Sequence, residues 1–229
     1  MDIGIRLPRL LERADHALSN ECETDRRRQV IQDLWTFVND MRKYMASLGS
    51  GSGANAGPAD TLFRELRDIE NFDRVFSWVG RSRVFPKAWH YRSFRAANMV
   101  GICTLMKVIA LANIVPLYLH SGADFDDGAV SIVGNELADE VEDLCRTIPY
   151  HVGPNAGSLG MIGCLPLLRC AVEYYTNQSE PEKSRWCDRL IDRLNNAGLA
   201  PGRDTWRFRG DVASWVKQEA NGMLVEIRA

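Results

Sequence analysis

The sequence predicts an all-α fold, in which a single domain of residues 1–229 forms a multi-helix bundle around a central apolar helix at residues 92–120. Apolar side chains recur every three or four residues in each long apolar segment, which is the spacing of one helix face. Helix-end signals support this assignment: Ser179 and Glu182 have the spacing of a capping box, and Gly198 supplies a stop. No convincing alternation of polar and apolar residues marks a strand, so we expect strand content near nil.

The central helix is the most apolar part of the chain. Between residues 96 and 119 its only strongly polar side chains are Asn98, Lys107 and Asn113. A membrane span is the alternative interpretation, because the length allows one. However, a lysine near the middle of a span costs about 2.5–3.5 kcal/mol on the insertion scale. We therefore expect a buried core helix, with Lys107 either paired or reaching the surface along its aliphatic stem.

The same periodicity places the other helices of the bundle. We expect them at residues 3–18, 25–48, 129–148 (ended by Pro149), 159–175, between the Ser179 cap and the Gly198 stop, and near 203–220. Residues 49–58 are rich in glycine and serine and predict a flexible loop. Arg26, Arg27 and Arg28 open the second helix, where we expect a solvated first turn rather than a basic patch.

A run of acidic side chains follows the central helix. Asp126 and Asp127 are followed by Gly128, Ala129 and Val130, so the D-D-x-x-D spacing of a magnesium-diphosphate site is absent. We expect a polar loop and then the solvated face of a helix. The side chains expected on that outward face are Glu136, Asp139, Glu140, Glu142 and Asp143, with Ile132, Val133, Leu137, Val141, Leu144 and Ile148 inward.

Composition and charge exclude several classes of function. The chain has 28 basic and 30 acidic residues and a formal net charge of −2, whereas proteins that bind phosphate backbones concentrate Lys and Arg. The six cysteines include no C-x-x-C pair, and the four histidines lie far apart, so we expect reduced thiols, no metal and no cofactor. We also expect a cytoplasmic protein that neither inserts into a membrane nor binds nucleic acid directly.

The remaining candidates for function are half-buried polar side chains among aromatic ones. The candidate catalytic residues are His90, His120, His151 and Tyr174. The candidate ligand pocket adds Trp89, Tyr91, Asn98, Lys107, Asn113, Tyr118, Tyr150 and Arg169. Singly, each is more typical of a hydrogen-bonded core group. Together they predict a mostly apolar cavity, bounded by the 92–120 and 159–175 helices, that binds an apolar small molecule.

Several short segments form a further pattern that covers most of the chain. They are LPRLLERAD at 7–15, FPKA at 85–88, SFRAA at 93–97 with the apolar helix after it, LCRTIPY at 144–150, LPLLR at 165–169, AVEY at 171–174, WC at 186–187 and the turn at Gly198. The pattern from residue 144 onward resembles the C-terminal part of the regulatory, middle-homology-like region of fungal zinc-cluster (Zn2Cys6) transcription factors. The earlier segments fit the same resemblance. Those factors bind DNA through a six-cysteine zinc cluster with a basic flank, which these 229 residues do not contain.

The resemblance implies two hypotheses about function. The first is a stand-alone relative that folds an apolar intermediate of fungal secondary metabolism for cyclisation, as a cofactor-free cyclase or pericyclase-like enzyme. Such chemistry proceeds by shape, desolvation and one or two hydrogen bonds. The second is a ligand- or partner-sensing regulatory domain that lacks its own DNA contact, which would be nuclear rather than cytoplasmic. Either protein could be a homodimer.

Overall fold

The structure is a computed structural model that describes residues 3–19, 24–49, 63–66, 84–120, 127–153 and 156–198. The predicted all-α fold class is confirmed, and so is the central apolar helix. In chain order the elements are α1 (Ile3–Ser19), α2 (Thr24–Gly49), β1 (Phe63–Leu66), β2 (Ala88–Tyr91), α3 (Phe94–Leu119), α4 (Asp127–His151), α5 (Gly157–Gly163), α6 (Leu165–Asn177) and α7 (Pro181–Asn196). Predictions for residues 50–58, 124–126 and 203–220 lie outside the described residues.

The two strands are a local exception to the expected absence of strands. They pair antiparallel, with Phe63 opposite Tyr91 and Leu66 opposite Ala88. A four-residue strand places only two side chains on each face, so its period-two pattern does not stand out in the sequence. The aromatic residues of β2, Trp89 to Tyr91, have high β propensity, which is consistent with the pairing.

Contacts divide the chain into two compact units. Unit 1 comprises Met1–Leu48 and Cys103–Val141, and unit 2 comprises Gly49–Ile102 and Glu142–Ala229. The helices α3 and α4 each contribute residues to both units. The expectation of a single domain stays a prediction.

Unit 1 has a core of fully buried apolar side chains and one buried ion pair. The core includes Leu34, Phe37, Leu111, Ile114 and Leu117. Lys107 of α3 is 5% exposed, and its Nζ lies 2.5 Å from a carboxylate oxygen of Glu140 on α4. The prediction that Lys107 is paired is therefore confirmed.

The partner of Lys107 corrects one assignment on α4. Glu140 was expected to point outward, but it follows Val133 by seven residues and shares its helix face, since seven residues make almost two full turns. Val133 is buried, and so is Glu140. Ile132, expected inward, is 58% exposed. Arg42 of α2 completes the cluster, with its guanidinium 2.6 Å from a carboxylate oxygen of Glu136 and 3.8 Å from one of Glu140.

Arg27 also departs from the expected solvated first turn of α2. Its side chain donates to the backbone carbonyl oxygens of Ala17, at 3.1 Å, and of His120, at 2.9 Å. These carbonyls lie at the C-terminal ends of α1 and α3, where helix carbonyls lack intrahelical partners. Arg26 and Arg28 are exposed, as predicted.

Unit 2 is built around aromatic and aliphatic side chains of α4, α6 and α7. The Phe85 ring packs edge-on against Trp186, with 4.7 Å between ring centroids, and lies 6.0 Å from the Tyr175 ring. Fully buried aliphatic side chains complete this core, among them Leu144, Ile148, Leu168 and Leu194.

The helix ends of unit 2 differ from the predicted ones at three places. The helix expected to end before Pro149 continues to His151, with the proline inside it. The helix expected over residues 159–175 is divided at Cys164 into α5 and α6. The predicted capping box is wrong, because Ser179 has a left-handed φ of 57° and α7 begins at Pro181 without a side-chain cap. Gly198, with a φ of 71°, follows the last turn of α7 as predicted.

Among the described helices, α3 is long and apolar enough to cross a membrane, and 61% of its most apolar stretch is buried inside the structure. One such helix is weak evidence for a span, because the core helix of a globular protein has the same length and composition.

Candidate functional site

Candidate residues of β2 and of the end of α4 meet in unit 2. The Tyr150 ring, near the end of α4, packs edge-on against His90 and Tyr91 of β2, with centroid distances of 5.8 Å and 5.3 Å. Burial raises the pKa of Tyr91, with a smaller contribution from the charge of Asp143, and burial also raises the pKa of Tyr150. Both phenols therefore stay protonated at physiological pH and act as neutral groups.

Trp89, also on β2, makes a cation–π contact with Arg146. The guanidinium carbon of Arg146 lies 6.0 Å from the centre of its ring, within the range of a cation–π contact. Arg146 is held by two carboxylates on its own helix, at 2.5 Å from Glu142 and 2.9 Å from Asp143. This contact links Trp89 of β2 to α4.

His151 is deeply buried, with 1% of its surface exposed. Its ring packs edge-on against Phe94 of α3, at 5.9 Å. Within the described residues neither ring nitrogen has a hydrogen bond of normal geometry. Burial lowers the pKa of His151 to about 4, and the backbone of Ala97 offsets this only in part. The imidazole is therefore neutral at physiological pH.

Three glycines surround His151 and allow neighbouring helices to approach it. A Cβ added at Gly101 of α3 would lie 3.4 Å from its Nε2 and 3.2 Å from Cδ1 of Leu167. A Cβ added at Gly160 of α5 would lie 2.5 Å from the backbone oxygen of His151, which is too close for any side chain. A Cβ added at Gly163 would meet only ordinary contacts, 3.6 Å from Oδ1 of Asn98 and 4.0 Å from Nδ1 of His151.

The predicted residues of unit 2 thus form two groups. His90 and Tyr91 are in ring contact with Tyr150, with Trp89 next to them in β2, and His151 and Asn98 lie beside Gly163. Of the remaining candidates in unit 2, Tyr174 packs edge-on against Tyr175 at 5.3 Å, and Arg169 is half-buried on α6. Contact between α3 and the 159–175 region, which the predicted cavity requires, is present at Gly101 and Leu167. The cavity itself stays a prediction.

Four predicted residues belong to unit 1, namely Lys107, Asn113, Tyr118 and His120. Lys107 pairs with Glu140. The side chain of Asn113 donates to the Ile109 carbonyl oxygen at 2.8 Å, and Nδ1 of His120 lies 2.9 Å from the Pro116 carbonyl oxygen. Tyr118 is half-buried near the end of α3. Lys107, Asn113 and His120 thus have contacts typical of structural polar groups.

Sequence reasoning missed the glycines and Phe94. The available signal was the presence of Gly101, Gly160 and Gly163 inside apolar helical segments, where glycine costs helix stability and usually has a packing reason. That signal does not say which side chain the glycine accommodates. Only the fold shows that all three lie against His151.

Three cysteines of unit 2, Cys145, Cys164 and Cys170, are not activated as nucleophiles. Burial raises the pKa of Cys145 well above its ordinary value and raises those of Cys164 and Cys170 to about 12. A thiol becomes a nucleophile only as the thiolate. No group of three or more His, Cys, Asp or Glu side chains able to hold a metal ion occurs in the described parts of the chain.

Comparisons of the chain with protein-family models, with curated proteins and with solved structures find no match. The resemblance to the regulatory region of fungal zinc-cluster factors accordingly stays a prediction.

Proposed function

We propose that unit 2 binds an apolar small molecule, and that His151 supplies the polar contact that orients it. The observation that supports this is the neutral His151 ring, 1% exposed and without a hydrogen bond of normal geometry among the described residues. Folded proteins pair the large majority of buried polar atoms. Leaving one unpaired costs about 1–3 kcal/mol, which a ligand with a polar group would recover.

The surroundings of His151 match the composition of small-molecule sites, which are mostly apolar with a few convergent polar groups. Phe94 and Leu167 supply apolar surface close to the ring, and Tyr150, the preceding residue of α4, packs against the aromatic side chains of β2. We propose that a ligand enters past the short helix α5. This helix has seven residues and packs against the rest of unit 2 on one side, since Leu159 is 73% and Ile162 47% exposed.

We further propose that the protein uses this binding to catalyse a cofactor-free cyclisation. A substrate folded against rigid aromatic walls reacts faster because the entropy of bringing its ends together is lost on binding. A neutral His151 would stabilise charge that develops on a substrate oxygen by a hydrogen bond in surroundings of low dielectric.

A ligand-sensing regulatory domain is the second candidate, and the pKa of His151 favours it. A general base works best when its pKa lies near the operating pH. Burial lowers the pKa of His151 to about 4, so this ring is better suited to holding a ligand than to removing protons. The regulatory candidate shares the binding step with the enzyme, but it would release its ligand without chemical change. Such a protein would be nuclear rather than cytoplasmic.

Binding is tested with 1-naphthol, an apolar phenol whose fluorescence reports its environment. We expect saturable binding to the wild-type protein and at least about tenfold weaker binding to His151→Phe, equivalent to about 1.4 kcal/mol. The matched control is His16→Gln, because His16 is exposed on α1 of unit 1. Equal affinity of wild type and His151→Phe would contradict the proposal.

Catalysis is tested with citronellal, an acyclic apolar aldehyde that isomerises to isopulegol. The carbonyl carbon bonds to the alkene while a hydrogen moves to the oxygen, so no atom is gained or lost. The enzyme proposal expects formation of isopulegol faster than in buffer, detected by gas chromatography and lost in His151→Phe. Binding of citronellal without turnover favours the sensing domain.

A further inference from the structure

We infer that the ligand carries a hydroxyl group, as an alcohol or a phenol, and that this hydroxyl lies between Asn98 and His151 beside Gly163. The inference rests on the proposed binding of a small molecule by unit 2. Its starting point is the position that a Gly163 Cβ would take, which is 3.6 Å from Oδ1 of Asn98 and 4.0 Å from Nδ1 of His151. Two polar atoms thus converge on a residue that has no side chain.

The opposite edge of the imidazole is closed to a ligand. Nε2 faces Gly101, where even one added methyl group would lie 3.4 Å from the ring and 3.2 Å from Leu167. Interiors packed at this density leave no room for another group. The side next to Gly163 differs, because a methyl group there would make only ordinary van der Waals contacts.

The ring nitrogen of His151 that faces Gly163 is Nδ1. A neutral imidazole has one donor and one acceptor nitrogen, so Nδ1 either donates or accepts one hydrogen bond. A ligand group beside Gly163 therefore has to match either role.

A hydroxyl fits this pair of groups better than other polar groups. It both donates and accepts, so it pairs with Nδ1 of His151 in either tautomer and with either end of the Asn98 amide, whose two ends are interchangeable by rotation. A ketone or aldehyde oxygen accepts only, so it cannot pair with Nδ1 and with Oδ1 of Asn98 together. A hydrocarbon would leave the buried Nδ1 of His151 unpaired, at a cost in binding free energy.

The test compares 1-naphthol with naphthalene, which has the same rings and no hydroxyl. We expect wild type to bind naphthol at least about tenfold more tightly. In Gly163→Ala the added methyl group occupies the place of the hydroxyl, so this preference should fall to about twofold or less while naphthalene affinity stays unchanged. The melting temperature should not fall, because the methyl group clashes with nothing. The control is Gly134→Ala on α4, where a Cβ meets nothing within 4 Å.

A second variant, Asn98→Leu, removes the other partner and should reduce the preference for naphthol in the same way. If only an ordered water lies beside Gly163, wild type should bind both probes equally. That result would overturn this inference and leave the proposed function standing. An undiminished preference in both Gly163→Ala and Asn98→Leu would overturn it too. Failure of wild type to bind either probe would overturn the proposed function, and this inference with it.

Discussion

The burial of His151 makes a direct prediction about stability against pH. Its pKa is about 4 in the folded protein, against 6.5 for an unperturbed histidine. Between these values the unfolded chain binds more protons than the folded one, so stability rises with pH across this window and is fully present above it. The gap between the two pKa values corresponds to about 3 kcal/mol, of which about 2 kcal/mol is lost between pH 7 and pH 4.5.

The assay is urea unfolding, followed by circular dichroism at pH 7 and at pH 4.5. Carboxylates also titrate in this range, so the quantity of interest is the difference between wild type and His151→Gln, which cannot take up the proton. Between pH 7 and pH 4.5 the free energy of unfolding of wild type should fall by about 2 kcal/mol more than that of the variant. Replacing the exposed His16 by Gln should leave the loss as in wild type. Equal losses in wild type and His151→Gln would refute the argument that His151 is buried and neutral.

Two further predictions concern packing and charge. Gly160→Ala should destabilise the protein by about 3 kcal/mol, since its Cβ would lie 2.5 Å from a backbone oxygen, whereas Gly134→Ala should stabilise it by about 0.5–1 kcal/mol in the same urea experiment. Lys107→Met alone should cost about 3 kcal/mol, because it leaves the buried Glu140 with only the more distant Arg42 at 3.8 Å, and adding Glu140→Gln should restore most of that stability. A thermal scan in which Lys107→Met melts like wild type would contradict the buried ion pair.

The fold class and the central helix were predictable because helix periodicity repeats over many residues. The wrong predictions concern features that depend on a single residue or on a short segment. Glu140 was placed outside because of its charge, although its angular position beside Val133 puts it on the buried face, where Lys107 neutralises it. The strands β1 and β2 were missed because each has four residues and their pairing joins segments more than twenty residues apart.

The site was predictable only in part, because the sequence indicates candidate residues but not their contacts. An aromatic residue next to a histidine, as in Tyr150–His151, marks a candidate without showing which nitrogen will lack a partner. That property depends on Gly101, Gly160 and Gly163, which sequence reasoning could identify only as unusual. His120, equally prominent in the sequence, has its Nδ1 beside the Pro116 carbonyl oxygen of its own helix.

The most direct test of the account is an NMR titration of protein labelled with ¹⁵N in its histidine rings. The chain has four histidines, so each ring gives a separate signal. On addition of 1-naphthol we expect a saturable shift of the Nδ1 signal of His151, absent in Gly163→Ala, with the exposed His16 unchanged. A His151 signal that does not move while naphthol binds elsewhere would contradict the claim that this buried ring holds the ligand.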